Sequence, residues 1–385
     1  MSVSDVAPSR EQQRAAARRA DLERIGVTIG SSILAVVVAL GISGILLAIT
    51  GKDAFAAFST MGEVLTNPDK LWETVWRAMP FIIAAIAFAV TAKLGLFNIG
   101  VEGQFLMGMF WAAVIGAQFE LPAVIHLPFV IIIGSIAGGL WGGIAGYLKV
   151  KRGVNEVIST IMLNAIALQL IDWLFNDFFR YDDGTGTLDV RTKELPESAW
   201  MPDIIDDKLN GFVVVVLIVV VVYYVLVFRS RFGFRLRASG LNPEAARTSG
   251  ISANRMVLTA MVVSGMIGGL AGLPYLLGEA HSYGPTRPSG YGFQGIGVAL
   301  LGRNHPGGIV VAGLLFGFLE AAGGPLQLEG IPSSIVRVIQ GIVLLSVVII
   351  SGAADAWYQR RTTVSITKEA TNGKGEIRRL PARHR

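Results

Sequence analysis

The chain contains no cysteine and only four histidines among its 385 residues. Without cysteine there is neither a disulfide framework nor a thiolate metal site, and the histidines form no ligand spacing such as H-E-x-x-H. The sequence also lacks a G-x-x-x-x-G-K-[ST] phosphate loop, because the segment 373–375 has neither the spacing nor the strand–helix setting. We therefore expect no catalytic residue, no metal ion and no cofactor bound by this chain.

Charged residues are scarce, at 16% of the chain, whereas apolar residues make up 52%. Several apolar stretches reach the roughly 20 residues that a membrane-spanning helix needs. The 46 glycines suit helices that approach one another closely, and the alternation typical of a membrane barrel is not evident. The composition predicts an all-α polytopic membrane protein.

Hydropathy predicts ten transmembrane helices. Threading the chain through them places the strong basic clusters on one side, which the positive-inside bias assigns to the cytoplasm together with both termini. This bias also explains the net charge of +5 without a nucleic-acid partner. The predicted spans are 25–49, 78–93, 97–118, 124–148, 156–175, 211–228, 256–278, 293–303, 308–325 and 334–353.

The same threading divides the chain into regions. Residues 1–24 form a basic cytoplasmic segment, residues 25–355 the transmembrane domain, and residues 356–385 a basic cytoplasmic tail without helical periodicity. The longest loop, about 176–210, lies outside and carries nine acidic against four basic residues. This independent charge asymmetry supports the ten-span topology.

Two glycine-punctuated segments interrupt the apolar pattern, residues 94–104 and residues 290–302. In the first, glycines weaken the helix while Asn98, Glu102 and Gln104 offer hydrogen bonds at membrane depth. The two segments hold similar positions in their halves of the chain. Paired broken helices of this kind point to a central site, and five spans per half predict a five-plus-five inverted repeat.

The cytoplasmic loop between the sixth and seventh spans specifies a short helix over about 242–250. Asn242 is a favourable N-cap, Pro243 suits the first helical position, and Glu244 complements the positive end of the helix dipole. Gly250 can end the helix in the left-handed conformation. Such a helix is either a docking element for another protein or an ordinary connector whose neighbouring arginines enforce topology.

The pattern Gly-x-Asn-x-Glu-Ala-Ala-x-x-x-Gly-Ile in this loop resembles the coupling helix of ATP-binding-cassette importer permeases. Together with residues 94–104, 153–164 and 295–304, it resembles the permease family that serves branched-chain amino acids, simple sugars and nucleosides. Within that family the nucleoside-type branch is the most similar. The likeness runs from about residue 30 to residue 355.

This resemblance implies a pore-forming permease subunit of an importer in a bacterial cell membrane. A separate cytoplasmic ATP-binding-cassette ATPase would bind ATP and magnesium, a second permease subunit, identical or homologous, would complete the pore, and an extracellular or periplasmic binding protein would deliver the small-molecule substrate. The coupling contacts to the ATPase would come from Asn242, Pro243, Glu244, Ala245, Ala246, Arg247 and Gly250.

The candidate substrate or pathway residues are Phe97, Asn98, Glu102, Gln104 and Asn164. Amide groups donate and accept, which suits a nucleobase edge or sugar hydroxyls, and Phe97 could stack on a base. The alternatives are that the amides satisfy the broken backbone, that Glu102 pairs with a basic neighbour, and that Phe97 only packs.

Asn164 shares one predicted helix face with Glu156 and Thr160. Nearer the cytoplasmic end, Asn155 and Glu156 are better explained as a helix cap and a salt-bridge partner.

Three other functions remain open from the sequence. A sugar or branched-chain amino acid permease shares much of the motif set. An ion-coupled secondary transporter, with Glu102 or Glu320 as proton carrier, would have similar broken helices but would not need the 242–250 helix. A passive channel would need a filter ring, and nothing in the sequence resembles one.

Overall fold

Helices form nearly all of the secondary structure in the computed structural model, which describes residues 10–181, 190–205, 208–332, 334–350, 352–354 and 356–357. Most of the predicted basic tail and the first nine residues lie outside this part of the chain. The first helices are α1 (Arg10–Ile49), α2 (Ala54–Thr66), α3 (Pro68–Ala92), α4 (Val101–Gly116), α5 (Ala123–Arg152) and α6 (Glu156–Leu174).

The second half continues with α7 (Phe212–Tyr224), α8 (Arg231–Leu241), α9 (Pro243–Thr248), α10 (Ala253–Gly268), α11 (Leu273–Tyr275), α12 (Tyr291–Leu301), α13 (Pro306–Leu328) and α14 (Ser334–Ala354). Turns of π-helix extend α6, α7 and α11 through Phe175–Phe179, Val225–Arg229 and Leu276–Ala280. A 3₁₀ turn (Glu197–Ala199) and an antiparallel pair, β1 (Asp203–Ile205) and β2 (Leu209–Asn210), lie between α6 and α7.

The chain divides into two compact units. One comprises residues 1–52 and 341–385 and contains α1 and the later part of α14. The other, residues 53–340, contains the remaining helices and every residue of the candidate site described below.

Ten apolar helices coincide with the ten predicted spans. Within the described residues, seven helices are long and apolar enough to cross a membrane, and three shorter apolar helices cover 33–49, 101–116 and 291–301. The prediction of an all-α polytopic membrane protein is confirmed. The five-plus-five inverted relation of the halves stays a prediction.

The start of the second span was predicted ten residues too late. Asn67 caps α3 by accepting a hydrogen bond from the Asp69 backbone N–H at 2.9 Å, and Pro68 occupies the first helical position. Asp53 likewise caps α2, a helix outside the ten predicted spans, by accepting from the amides of Phe55 and Ala56. An asparagine followed by proline is a helix-start signal that polar neighbours obscured.

The seventh predicted span is not one continuous helix. α10 ends at Gly268, four residues form turns, and the helix resumes at Leu273. The sequence there, Gly-Gly-Leu-Ala-Gly-Leu-Pro over 268–274, carries a glycine cluster followed by proline, which favours such an interruption. The break was missed because the stretch is apolar throughout.

Helices α5 and α10 pack with backbone against backbone. A Cβ atom at Gly138 would lie 2.3 Å from the Gly265 carbonyl oxygen, and one at Gly269 would lie 2.2 Å from the Gly134 carbonyl oxygen. Glycines four apart on α5 leave room for this approach, as small residues do at helix interfaces in membranes. The contact holds α10 against the interrupted region between α3 and α4.

Candidate functional site

The predicted interruption between α3 and α4 is present. α3 ends at Ala92, and the Leu94 and Gly95 amides donate to the carbonyl oxygens of Thr91 and Ala92 at 2.9 and 3.0 Å. Gly95 has φ +79°, a left-handed conformation in which glycine carries no steric cost. The chain then runs without regular structure to Val101, where α4 begins. Residues 94–104 are termed the break segment below.

Asn98 anchors the break segment to α10 and to the start of α4. Its Nδ2 donates to Ser264 Oγ at 2.8 Å, and its Oδ1 accepts from the Gly100 backbone N–H at 2.9 Å. The Gln104 amide lies against the Asn98 amide, with 3.3 Å between Asn98 Nδ2 and Gln104 Oε1. Ser264 Oγ donates in turn to the Ala87 carbonyl oxygen at 2.6 Å. Since all of these side chains are buried, the cluster is a closed polar network inside the helix bundle.

Asn164 of α6 holds the same segment from the other side. Its Oδ1 accepts from the Gly103 backbone N–H at 2.8 Å, and its Nδ2 donates to the Ile99 carbonyl oxygen at 2.9 Å. A Cβ at Gly103 would come within 2.9 Å of Asn164 Oδ1 and 3.2 Å of the Asn164 Cα, so the two residues are closely packed. Asn164 therefore satisfies backbone groups that the broken helix leaves without partners.

Glu102 contacts the second glycine-punctuated segment rather than a basic side chain. Its two carboxylate oxygens accept from the backbone N–H groups of Gly290 and Gly292 at 2.6 and 2.7 Å. The alternative that Glu102 forms an ion pair with a basic neighbour at the inner surface is wrong. A nearby helix N-terminus already supplies the donors that a buried carboxylate needs.

Phe97 differs from the other four candidates. Its side chain is 40% exposed, whereas those of Asn98, Glu102, Gln104 and Asn164 are at most 9% exposed. The ring meets Phe88 edge-on, with centroids 4.9 Å apart. Of the five, Phe97 alone presents a large surface outside the protein interior.

The N-terminal end of α6 agrees with the roles expected for Asn155 and Glu156. Asn155 caps the helix by accepting from the Val157 amide at 2.8 Å, and Glu156 pairs with Lys149 at 2.6 Å. Thr160 is buried on the same helix face as Asn164, as the four-residue spacing predicted.

The short helix in the loop after α7 is present as α9. Asn242 Oδ1 accepts from the backbone amides of Glu244 and Ala245 at 3.1 and 3.0 Å, and Pro243 is the first helical residue. Gly250 follows with φ +77°. Ala246 is buried, while Glu244, Ala245 and the other residues of α9 are exposed. The helix is capped at its start and free over most of its surface.

Helix α8, which precedes α9, packs directly on the start of the break segment. A Cβ at Gly240 would lie 2.6 Å from the Lys93 carbonyl oxygen. Lys93 Nζ and the Arg237 guanidinium lie 5.3 and 5.7 Å from the centre of the Phe228 ring, so both cations share one aromatic ring. α9 is thus one helix away from the break.

A separate polar surface forms around the long loop between α6 and α7. The backbone of this loop joins the chain after α11, where the amides of Thr192 and Leu195 each donate at 2.8 Å to the carbonyl oxygens of Tyr283 and His281. A cavity of about 350 Å³ opens beside it, lined by Asp69, Lys70, Glu73, Trp76, Arg77, Asp203, Lys208, Leu209, Asn210, Gly278 and Glu279. Some of the charged side chains that line this cavity form ion pairs with one another. Lys208 Nζ, for example, lies 2.9 Å from Asp69 Oδ1.

Two further acidic residues also have partners. Asp172 accepts from Arg287 at 3.2 Å, and Glu320 accepts from the Gln340 side-chain amide at 3.1 Å. Ser264 takes part in the Asn98 network although the sequence did not predict it, because a single serine in an apolar helix gives no signal. Within the described residues no group of three or more acidic or histidine side chains is placed to hold a metal ion.

Comparison with known proteins accounts for this architecture. The profile of the family described as "Branched-chain amino acid transport system / permease component" matches residues 71–348. The chain belongs to this family. The match covers the break segment, α8, α9 and α12, and therefore every region that the geometry above connects.

Relatives of similar length agree. The guanosine ABC transporter permease protein NupP of Bacillus subtilis is 34% identical over 325 residues, covering 82% of this chain and 91% of the relative. The nucleoside ABC transporter permease protein NupB of Lactococcus lactis is 32% identical, covering 81% and 87%. A glucose ABC transporter permease protein of Haloferax volcanii is also 32% identical, covering 82% and 86%.

The family assignment establishes the general role. The chain is a multi-pass membrane permease of the ATP-binding-cassette class and not an enzyme, since the ATPase of such transporters is a separate subunit. Permeases of this family operate with ATPase and substrate-binding partners. The resemblance drawn from the motifs at 94–104, 153–164, 240–251 and 295–304 is confirmed.

Proposed function

We propose that this permease imports nucleosides across a bacterial cell membrane, driven by ATP hydrolysis on a partner subunit. The observation that carries the proposal is the similarity, over more than four fifths of the chain, to two permeases named for guanosine and nucleosides. The similar identity to a glucose permease favours simple sugars as the second candidate.

The basic clusters set the proposed orientation. Lys149, Lys151 and Arg152 end α5, and the arginines of α8 and α9 lie on the same side of the threaded chain. By the positive-inside bias this side faces the cytoplasm, with both termini. The long acidic loop then faces outward, where a binding protein would deliver substrate to the surface around the 350 Å³ cavity.

α9 is the proposed docking element for the ATPase. Its cap fixes its direction, Ala245 keeps its exposed face slim, and the only member of Pro243–Thr248 that is buried is Ala246. Closure of the ATPase dimer would displace α9, and the rigid packing of α8 on Lys93 and Leu94 would pass that displacement to the break segment.

The break segment is the proposed wall of the substrate pathway. Asn98, Gln104 and Asn164 are enclosed and paired, so their proposed part is to hold the segment in shape. Phe97 offers the exposed aromatic face on which a nucleobase can stack. Aromatic stacking with little hydrogen-bond discrimination suits a carrier of several nucleosides.

Uptake measurements test the proposal directly. Radiolabelled nucleosides, with sugars and leucine as competitors, are supplied to cells with and without this chain, before and after ATP depletion with the proton gradient held. We expect nucleoside uptake to disappear on deletion and on depletion. Uptake that survives depletion and collapses with the gradient contradicts an ATP-driven importer, and competition by glucose alone assigns the permease to sugars.

The docking role is tested by replacing Glu244 with lysine. This exposed residue lies in the first turn of α9, so the change reverses charge on the proposed docking surface. We expect uptake to be abolished with membrane insertion intact. Glu63→Lys, the same change on an exposed residue of α2, is the matched control. Unchanged uptake in Glu244→Lys would remove the coupling role from α9.

A further inference from the structure

α4 and α12 are both too short to cross a membrane alone. At 1.5 Å per residue, the 16 residues of α4 and the 11 residues of α12 span about 24 and 16 Å, against a hydrocarbon core of about 30 Å. α4 begins within the first glycine-punctuated segment, and α12 occupies nearly all of the second. Neither helix alone therefore completes a span.

The starts of these two short helices meet at one carboxylate. Glu102 is the second residue of α4, and its oxygens accept from the Gly290 and Gly292 amides at the start of α12. A Cβ at Gly292 would lie 2.3 Å from the Glu102 backbone nitrogen, so the two backbones are in direct contact. Two helix N-termini, each with a partial positive charge, converge on Glu102.

At the start of α12 the acceptors are the Glu102 oxygens, whereas in the first turn of α4 the Gly103 amide is satisfied by Asn164 Oδ1. The residues before the two helices, Gly100 and Gly290, are glycines without a side chain to accept from the first amides. Glu102 as a residue is 6% exposed, and both of its carboxylate oxygens are hydrogen-bond acceptors. A buried charge of this kind is costly unless it is paired, and here the pairing consists of backbone donors and helix dipoles.

We propose that Glu102 is a positioning residue whose carboxylate serves as an internal anion, fastening the start of α4 to the start of α12 so that both broken segments move as one body during transport. Short half-helices whose N-termini point at an anion are a recurring arrangement in transporters. In this chain the anion is supplied by the protein itself. The substrate therefore does not need to carry the negative charge that faces these helix N-termini, which is in keeping with a neutral substrate.

The contact of the Glu102 carboxylate with the Gly290 and Gly292 amides is termed the clamp below. It is tested first by hydrogen exchange, which does not depend on transport. The purified wild-type permease and Glu102→Gln are compared, and exchange is followed in a peptide covering residues 286–296. Because hydrogen bonds to a charged group are worth about 1.5–3 kcal/mol, the Gly290 and Gly292 amides should exchange about tenfold faster or more in the variant. Glu63→Gln, a charge loss on exposed α2, is the matched control. Unchanged exchange in Glu102→Gln overturns the clamp.

The second measurement uses the complete reconstituted transporter with its ATPase and binding protein. We expect Glu102→Gln to assemble normally but to hydrolyse more ATP for each substrate moved, with substrate affinity retained. Gly292→Ala, which pushes on the same contact, should give the same defect, whereas Gly324→Ala, with no atom within 4 Å of the added Cβ, should not. Because the two changes break one contact, their combination should be no worse than either alone.

These outcomes separate the clamp from the proposed function. If the Gly290 and Gly292 amides exchange faster in Glu102→Gln but the ATP hydrolysed for each substrate is unchanged, the positioning role is overturned. Independent, multiplying defects of Glu102→Gln and Gly292→Ala would do the same. Absence of ATP-driven nucleoside uptake by the wild-type protein would overturn the proposed function. Only the transport measurement rests on that function. The exchange measurement would still decide whether the clamp exists.

Discussion

Gly240 of α8 lies against the backbone of Lys93, so closely that a Cβ on the glycine would be 2.6 Å from the lysine carbonyl oxygen. This contact joins the helix that precedes α9 to the residue that follows α3. The cations of Lys93 and Arg237 both lie against the Phe228 ring beside the same junction. If α9 is displaced as proposed, the displacement would reach the broken helix through this backbone contact and not through a flexible side chain.

Gly240→Ala should uncouple ATP hydrolysis from transport. The added methyl group meets backbone atoms of Lys93 and Leu94, which cannot turn away as a side chain would, so α8 must shift; such overpacking typically costs about 1–3 kcal/mol. The measurement is the number of ATP molecules hydrolysed for each substrate imported by the reconstituted transporter. Gly324→Ala, with open space around the new atom, is the control, and equal coupling in both variants would contradict this route.

Asn98→Ala and Phe97→Ala should affect different quantities. Asn98 pairs with Ser264 and with the Gly100 amide in the interior, and each buried group left unpaired costs about 1–3 kcal/mol. We expect Asn98→Ala to lower the unfolding temperature markedly. Phe97 presents an exposed ring, and we expect Phe97→Ala to weaken substrate affinity with a much smaller change in unfolding temperature.

Thermal unfolding and initial uptake rates over a range of substrate concentrations separate these two effects. An Asn98→Ala protein of wild-type thermal stability with altered affinity would return Asn98 to a direct substrate role. A Phe97→Ala protein with wild-type uptake kinetics would make its ring a packing residue only.

The sequence predicted those features that depend on residues close together in the chain. α9 is specified by Asn242, Pro243 and Gly250 within a few residues of one another, and the structure contains that helix. The partner of Glu102 could not be predicted, because it is a pair of backbone amides 188 and 190 residues away that carry no side-chain signal. The interruption after α10 was only partly predictable. The glycines at 268, 269 and 272 favour a break, but the uniformly apolar sequence favours one continuous membrane-spanning helix.

The side chain of His281, which directly follows the π-helical turn Leu276–Ala280, predicts a pH dependence of stability. Its ring stacks on Trp200, with centroids 3.9 Å apart, and burial lowers its pKa, although the charges of Glu194 and Asp203 oppose the shift. The unfolded side chain has a pKa of about 6.5, so between that value and the lowered folded value the unfolded state binds more protons. The free energy of unfolding should therefore fall as the pH is lowered from about 7 through this window.

The comparison is between the wild type and His281→Asn, since asparagine tolerates the left-handed backbone that His281 adopts at φ +51°. The variant loses the titrating ring, and its unfolding temperature should depend less on pH over the same range. Identical pH profiles for the two proteins would show that His281 does not contribute to acid sensitivity.

Gly138→Ala should destabilise the helix bundle far more than Gly143→Ala in the same helix. The Cβ at position 138 would lie 2.3 Å from the Gly265 carbonyl oxygen and 2.6 Å from the Gly269 Cα, whereas at position 143 the nearest atom is a Val262 side-chain methyl at 3.2 Å. A methyl group can rotate away, but the α10 backbone can only retreat, which separates the two helices along their close contact. α10 carries Ser264, so its retreat also stretches the bond to Asn98. The unfolding temperatures of the two variants in one detergent provide the measurement, and equal values would contradict backbone contact between α5 and α10 in the membrane protein.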